Sequence, residues 1–193
     1  MTGVPYLQRL SEVYRDIEDV YGQVAAHYGD FSCQGCSSNC CSTVFFHYTL
    51  IEALYFREGF RALPEDKMKG AIREARRYLA DLARNPGRET ALSIMCPVNF
   101  GGLCGVYQHR PLICRIHGVP AFLDSRGAGG VQRWKGCLRF QELYGGRIDH
   151  EIDRTPFYSA IAELEIELRK SAGDFSRCRK TIAHMIADIA DDR

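Results

Sequence analysis

The sequence predicts a mainly α fold with a small irregular β part, its helices wrapped around a cysteine-rich metal centre. Three observations predict it. Apolar residues recur at helical spacing near both ends of the chain, eight of the nine cysteines lie between positions 33 and 137, and the stretch from 96 to 150 is Gly-rich with only short strand-like runs. At 193 residues, 46% apolar and 25% charged, the chain is long enough for one well-filled core. A single domain over 1–193 is expected, with 33–137 as its metal-binding core and helical extensions at either end.

The elements follow in order. Leu7, Leu10, Tyr14, Ile17, Tyr21 and Val24 form one stripe of an amphipathic helix from Tyr6 to about His27, ended by Gly29-Asp30. Ser42 to Tyr48 is β-branched and aromatic and reads as a short strand. Thr49 and Glu52 make a capping box for a helix running to about Arg61. Pro64 opens another, with Met68, Ile72, Ala75, Leu79 and Leu82 on one face, stopped by Asn85-Pro86-Gly87. Leu112–Ile116 and Val131–Trp134 read as short strands. Thr155 is expected as the N-cap of a helix with Pro156 at its first position, Phe157, Ile161, Leu164 and Leu168 continue it, and Gly173 ends it. Asp174 or Ser176 is the expected cap of a last helix through Ile189, which would place Cys178 on its apolar stripe as a small buried hydrophobe.

Charge and length exclude several function classes. A formal net charge of +1 gives no global attraction to nucleic acid or an anionic membrane. No apolar run approaches the roughly 18–20 residues of a membrane helix. The opening Met1-Thr-Gly-Val-Pro-Tyr6 has neither a basic n-region nor an apolar h-region, so a cytoplasmic location is expected. In that reducing compartment, dense cysteines read as metal-binding or catalytic before they read as disulfides. No phosphate loop, dinucleotide fingerprint, HExxH or GxSxG is present; the Gly-rich run 127–130 lacks the lysine that a phosphate loop needs.

The first cluster is Cys33-Gln-Gly-Cys36-Ser-Ser-Asn-Cys40-Cys41. A two-residue spacer lets one turn supply two thiolates to a metal. Gly, Ser, Ser and Asn between the cysteines disfavour an ordinary helix with buried thiols. The adjacent Cys40 and Cys41 suit two metal ions, or two corners of a cluster, better than one tetrahedral ion. A second set follows at Cys96, Cys104, Cys114 and Cys137. Cys96-Pro97 has the form of a ferredoxin-type ligand pair, and Gly101-Gly102 and Gly136 permit close backbone approach to a bulky ligand. Eight thiolates would satisfy two tetrahedral sites, two four-iron cubanes or one larger assembly. The dispersed second set favours an iron-sulfur cluster or iron, with zinc as the alternative.

Together Cys33-x2-Cys36-x3-Cys40-Cys41 (CxxCxxxCC), Cys96-Pro97 and Gly102-Leu-Cys104-Gly-Val-Tyr107-x2-Arg110-Pro111-x2-Cys114-Arg115 resemble the YkgJ-type cysteine-cluster family, described as a zinc- or iron-chelating domain. The resemblance implies that Cys33, Cys36, Cys40, Cys41, Cys96, Cys104 and Cys114 are ligands, with Cys137 added to them. The pattern is also similar to the cysteine cluster of flagellin lysine methylases, where it is associated with iron-sulfur binding. Arg115, directly after a ligand cysteine of that motif, is expected to hydrogen-bond a sulfur or bind an anionic substrate.

Other residues offer less. In residues 101–150, Arg110, Arg115, Arg126, Arg133, Lys135, Arg139 and Arg147 outnumber Asp124, Glu142 and Asp149, an excess that would offset a negative thiolate centre. His47 and His117 could complete an iron shell, although a hydrogen-bonded histidine near the core is the simpler reading of both. The functional expectation is an iron-sulfur or polynuclear iron protein for redox chemistry, or the metal module of a modifying enzyme, working with an unidentified protein or redox partner. The alternatives are a structural zinc protein that presents an interaction surface and an iron- or zinc-handling chaperone.

Overall fold

The computed structural model describes residues 4–32, 36, 40–125 and 129–192. Cys33 of the expected ligand set, and residues 127–128 of the Gly-rich run, lie outside them. The fold is mainly α, 58% helical, with sheets of two and three strands. In chain order the elements are α1 (Val4–His27), α2 (Leu50–Arg61), α3 (Glu65–Ala83), β1 (Asn99–Phe100), β2 (Leu103–Cys104), α4 (Leu112–Ile116), β3 (Pro120–Ser125), β4 (Gly130–Lys135), α5 (Leu138–Tyr144), β5 (Ile152–Asp153), α6 (Thr155–Ala172) and α7 (Ile182–Asp191). Among the described residues no helix is long and apolar enough to cross a membrane.

The chain divides into two compact units, each discontinuous in sequence: Met1–Ser38 with Leu112–Gly173, and Asn39–Pro111 with Asp174–Arg193. In the first unit α1 buries Leu7, Leu10, Tyr14, Ile17 and Val24, the stripe expected from the sequence, and packs on α6 and α4. The sheet has order β4-β3-β5, with β4 antiparallel and β5 parallel to the central β3. Phe140 of α5 is the hub of the interior, with ring centroids 4.7 Å from Tyr28, 5.3 Å from Phe31 and 4.8 Å from Tyr144. The Tyr28 hydroxyl donates to the His150 carbonyl at 3.0 Å and accepts from the Asp149 and His150 N–H groups, fastening the end of α1 to the segment before β5.

The second unit is a helix sandwich. Phe56 and Phe60 of α2, Ala71, Ala75, Tyr78 and Leu82 of α3, and Ala183, Met185, Ile186 and Ile189 of α7 form one apolar core, joined by Val44, Val98 and Val106. α2 begins where the capping pattern places it: the Thr49 side chain accepts from the Glu52 N–H and donates to the Glu52 carboxylate. β1 and β2 are closed by Gly101 and Gly102 at φ 63° and 91°, the two positive angles of a type I′ hairpin turn.

Four local expectations are corrected. Residues 42–48 do not form a strand; Cys40–Ser42 is a 3₁₀ turn, and Thr43 and His47 make isolated bridges to Ser93 and Lys180. Leu112–Ile116 is helical, because the turn opened after Pro111 continues for five residues and buries Leu112, Arg115 and Ile116 on one side. Arg154, not Thr155, occupies the cap position of α6. The last helix starts at Ile182, capped by Thr181, whose hydroxyl receives the His184 N–H while the His184 ring faces the Thr181 N–H. Cys178 therefore precedes the helix and is half-buried, not part of its apolar stripe.

Candidate functional site

The backbone of the second unit draws distant cysteines together. Cys40 and Cys41 sit in the 3₁₀ turn, and the Cys41 carbonyl accepts the Cys96 N–H at 2.8 Å while the Ser42 carbonyl accepts the Ile94 N–H. Two residues after Cys96-Pro97 the β1–β2 hairpin begins, and its register sets Asn99 opposite Cys104. The Cys96 carbonyl accepts the Asn99 N–H at 3.0 Å, tightening that turn. A segment around residue 40, another at 96 and a hairpin strand at 104 thus deliver four thiols to one neighbourhood.

The electrostatics of the thiols record that neighbourhood. A hydrogen bond from Cys40 holds Cys41 well below the ordinary thiol range, at about 6; burial opposes this, and Asn99 and the Arg110 charge assist it. Cys96 is pushed up to about 12, first by burial and then by the proximity of Cys41 and Cys104, against a backbone hydrogen bond from Val98. One sulfur is thus poised as a thiolate among thiols that resist further negative charge, which is the state that a bound cation would relieve. The Asn99 carboxamide adds a second indication. Its Oδ1 accepts the Gly102 N–H at 2.9 Å, whereas its buried Nδ2 has no hydrogen-bond partner at ordinary distance and interacts only weakly with Cys41. A buried N–H beside a thiolate suits a sulfur acceptor.

The donor chemistry fits a soft metal or an iron-sulfur group. Among the described residues, however, no three His, Cys, Asp or Glu side chains are arranged to hold a metal ion. Cys40 and Cys41 share a hydrogen bond, and Cys96 lies within electrostatic reach of Cys41 and Cys104.

Of the other expected ligands, Cys36, Cys114 and Cys137 belong to the first unit. Cys36 is half-buried, Cys114 lies on α4, and Cys137 directly precedes α5 with its N–H donating to the Gly118 carbonyl at 2.9 Å. The approach at that turn requires glycine. Gly136 has φ 80°, and a Cβ there would stand 2.6 Å from the Gly118 carbonyl oxygen. The eight described cysteines are all outside disulfides.

Arg115 is anchored within the first unit. It is 5% exposed, ion-paired with Glu18 of α1, and its guanidinium lies 4.0 Å from the centre of the Tyr14 ring. His47 is 3% exposed, held by two backbone hydrogen bonds to Lys180, and its Nε2 has no hydrogen-bond partner. Burial lowers its proton affinity, while Glu52 acts in the opposite direction. His117 is also lowered, by burial first and by the neighbouring Arg154 charge second, and a fixed cation beside it disfavours a metal there. Sequence reasoning missed Asn99 and Arg154. An asparagine before Gly101-Gly102 carries a turn signal but no ligand signal, and nothing in the pattern marks Arg154 as buried.

No protein-family model, curated protein or solved structure matches the chain.

Proposed function

We propose that the chain is a thiolate metal protein carrying an iron-sulfur cluster or polynuclear iron, with Cys33, Cys36, Cys40, Cys41, Cys96, Cys104, Cys114 and Cys137 as its ligand set. The observation that carries this reading is the gathering of Cys40, Cys41, Cys96 and Cys104 in one neighbourhood, with Cys41 held toward its thiolate and the buried Asn99 Nδ2 beside it. The resemblance to YkgJ-type cysteine clusters and to the cluster of flagellin lysine methylases supports the same assignment. Iron is preferred because the second set of cysteines is dispersed and because sulfurs of an iron-sulfur group take N–H donors of the kind Asn99 offers. In this reading the chain works in the cytoplasm with a redox partner or as the metal module of a modifying enzyme.

The test is anaerobic purification after expression with ample iron, followed by a visible spectrum and by iron, zinc and acid-labile sulfide analysis. Brown protein with iron and sulfide is expected, and Cys41→Ser or Cys96→Ser should lose both. Colourless protein with stoichiometric zinc would move the assignment to a structural zinc site, in which the metal folds an interaction surface. Protein that takes up neither metal would overturn it.

A further inference from the structure

Four arginines of the first unit lie over aromatic rings, and three of them have a carboxylate. Arg115 over Tyr14 is paired with Glu18, Arg133 over Phe122 with Glu151, and Arg147 over Tyr28 with Asp149. The fourth, Arg154, has its guanidinium 4.3 Å from the Trp134 ring centre and no acidic partner among the described residues. It is also among the most deeply buried of the four, at 2% exposure. Its neutral partners are few. Nη2 donates to the Ile116 carbonyl at 3.1 Å, the side chain hydrogen-bonds Tyr158 one turn further along α6, and Nε is buried with no partner.

A guanidinium does not discharge under ordinary conditions, so burial cannot be relieved by losing a proton. A buried charge without a counter-ion is among the costliest arrangements that a fold can hold, and natural structures almost always supply an anion. The groups around Arg154 are of one kind. His117, at the end of α4, lies within electrostatic reach of it, and Tyr158 presents a hydroxyl and is 38% exposed. Imidazole N–H, phenol O–H and the unused guanidinium edge are all donors. We propose that Arg154, with His117 and Tyr158 beside it, binds a small oxyanion, a carboxylate or a phosphate group, which supplies the negative charge that the other three arginines obtain from within the chain. The site stands apart from the thiol assignment and does not depend on it.

Trp134 makes the test direct, because it is the only tryptophan in the chain and it lies under the guanidinium. Inorganic phosphate and acetate are titrated separately into the purified protein at constant ionic strength, with Trp134 emission followed. A saturable change is expected, and the anion that saturates at the lower concentration identifies the group bound. Arg154→Lys keeps the charge but loses the planar fork, and should weaken the half-point by at least about tenfold. Arg147→Gln, which removes a carboxylate-paired arginine, should leave it unchanged. Tyr158→Phe keeps the guanidinium and its ring, and should also raise the half-point, so the site is testable even if variants at Arg154 fold poorly. A change linear in salt for both anions, or equal half-points in the parent protein, Arg154→Lys and Tyr158→Phe, would overturn the assignment.

Discussion

The two units build their interiors differently. The first fills its centre with rings, Tyr28, Phe31, Phe140 and Tyr144, and buries cations against two further rings, Arg115 on Tyr14 and Arg154 on Trp134. The second packs mixed aromatic and aliphatic faces of α2, α3 and α7 together, Phe56, Phe60 and Tyr78 among them, and its thiols lie half-buried on the turn and hairpin that flank that core. The difference teaches where each can host chemistry. Rings tolerate a cation inside because their faces are negative, so the first unit can hold charge in its interior. The second unit places its reactive sulfurs where helix packing ends and irregular backbone supplies N–H donors.

That contrast can be broken by substitution. The largest effect is expected at the ring hub: Phe140→Ala should cost about 3–5 kcal/mol in denaturant unfolding, since Tyr28, Phe31 and Tyr144 lose a shared partner. A loss below about 1 kcal/mol would mean that the rings of the first unit are not its structural centre. Next comes the buried cation. Glu18→Gln leaves the Arg115 charge, itself 5% exposed, without its carboxylate. It should cost about 1–3 kcal/mol, and Arg115→Met in the same background should recover part of that loss. A double variant no better than Glu18→Gln would show that the Arg115 charge does not depend on Glu18.

In the second unit the expected effects are smaller. Thr49→Ala removes the cap of α2 and should cost about 1 kcal/mol, with Thr49→Ser restoring most of it. The last expectation concerns a slope. His47, His117 and His184 are each held below the ordinary histidine range, burial being the first cause in all three. An unfolded histidine titrates near about 6.5. Above that value both states are neutral there and the full stability is present; as pH falls below it, the unfolded chain takes up protons that the folded chain resists, and stability declines. Urea midpoints measured across that range should fall on acidification, and less steeply in His47→Gln. An unchanged slope in the variant would remove His47 from the account.

Much of this was readable in advance where periodicity runs long. The stripe from Leu7 to Val24 specified α1, Thr49 with Glu52 fixed the start of α2, and Gly173, in the left-handed conformation at φ 66°, fixed the end of α6. Short segments defeated the same reasoning. Leu112–Ile116 holds too few residues for a period to declare itself, α5 was not anticipated, and α7 begins at Thr181 because its hydroxyl caps the helix there rather than Asp174 or Ser176. The cysteines announced a thiol site, and the grouping of Cys40 and Cys41 with Cys96 and Cys104 depends on backbone pairings that no spacing encodes. Asn99 and Arg154 stayed hidden because their importance is a missing partner, and an absence in three dimensions has no sequence signature.

The discontinuous division of the chain bears on how it is made. The helix α1 is synthesised early, yet the rest of its unit starts at Leu112. At about 5–20 residues per second, the 73 residues between Ser38 and Leu112 take roughly 4–15 s to emerge. Through that interval the nascent α1 has an apolar stripe and neither α4 nor α6 to cover it. The second unit waits as well, since α7 and the Lys180 bridge to His47 come from the last twenty residues of the sequence. Vectorial synthesis therefore cannot complete one unit and then the other. Translation rate and the chaperones that shelter an exposed amphipathic helix become part of the physical chemistry of this fold.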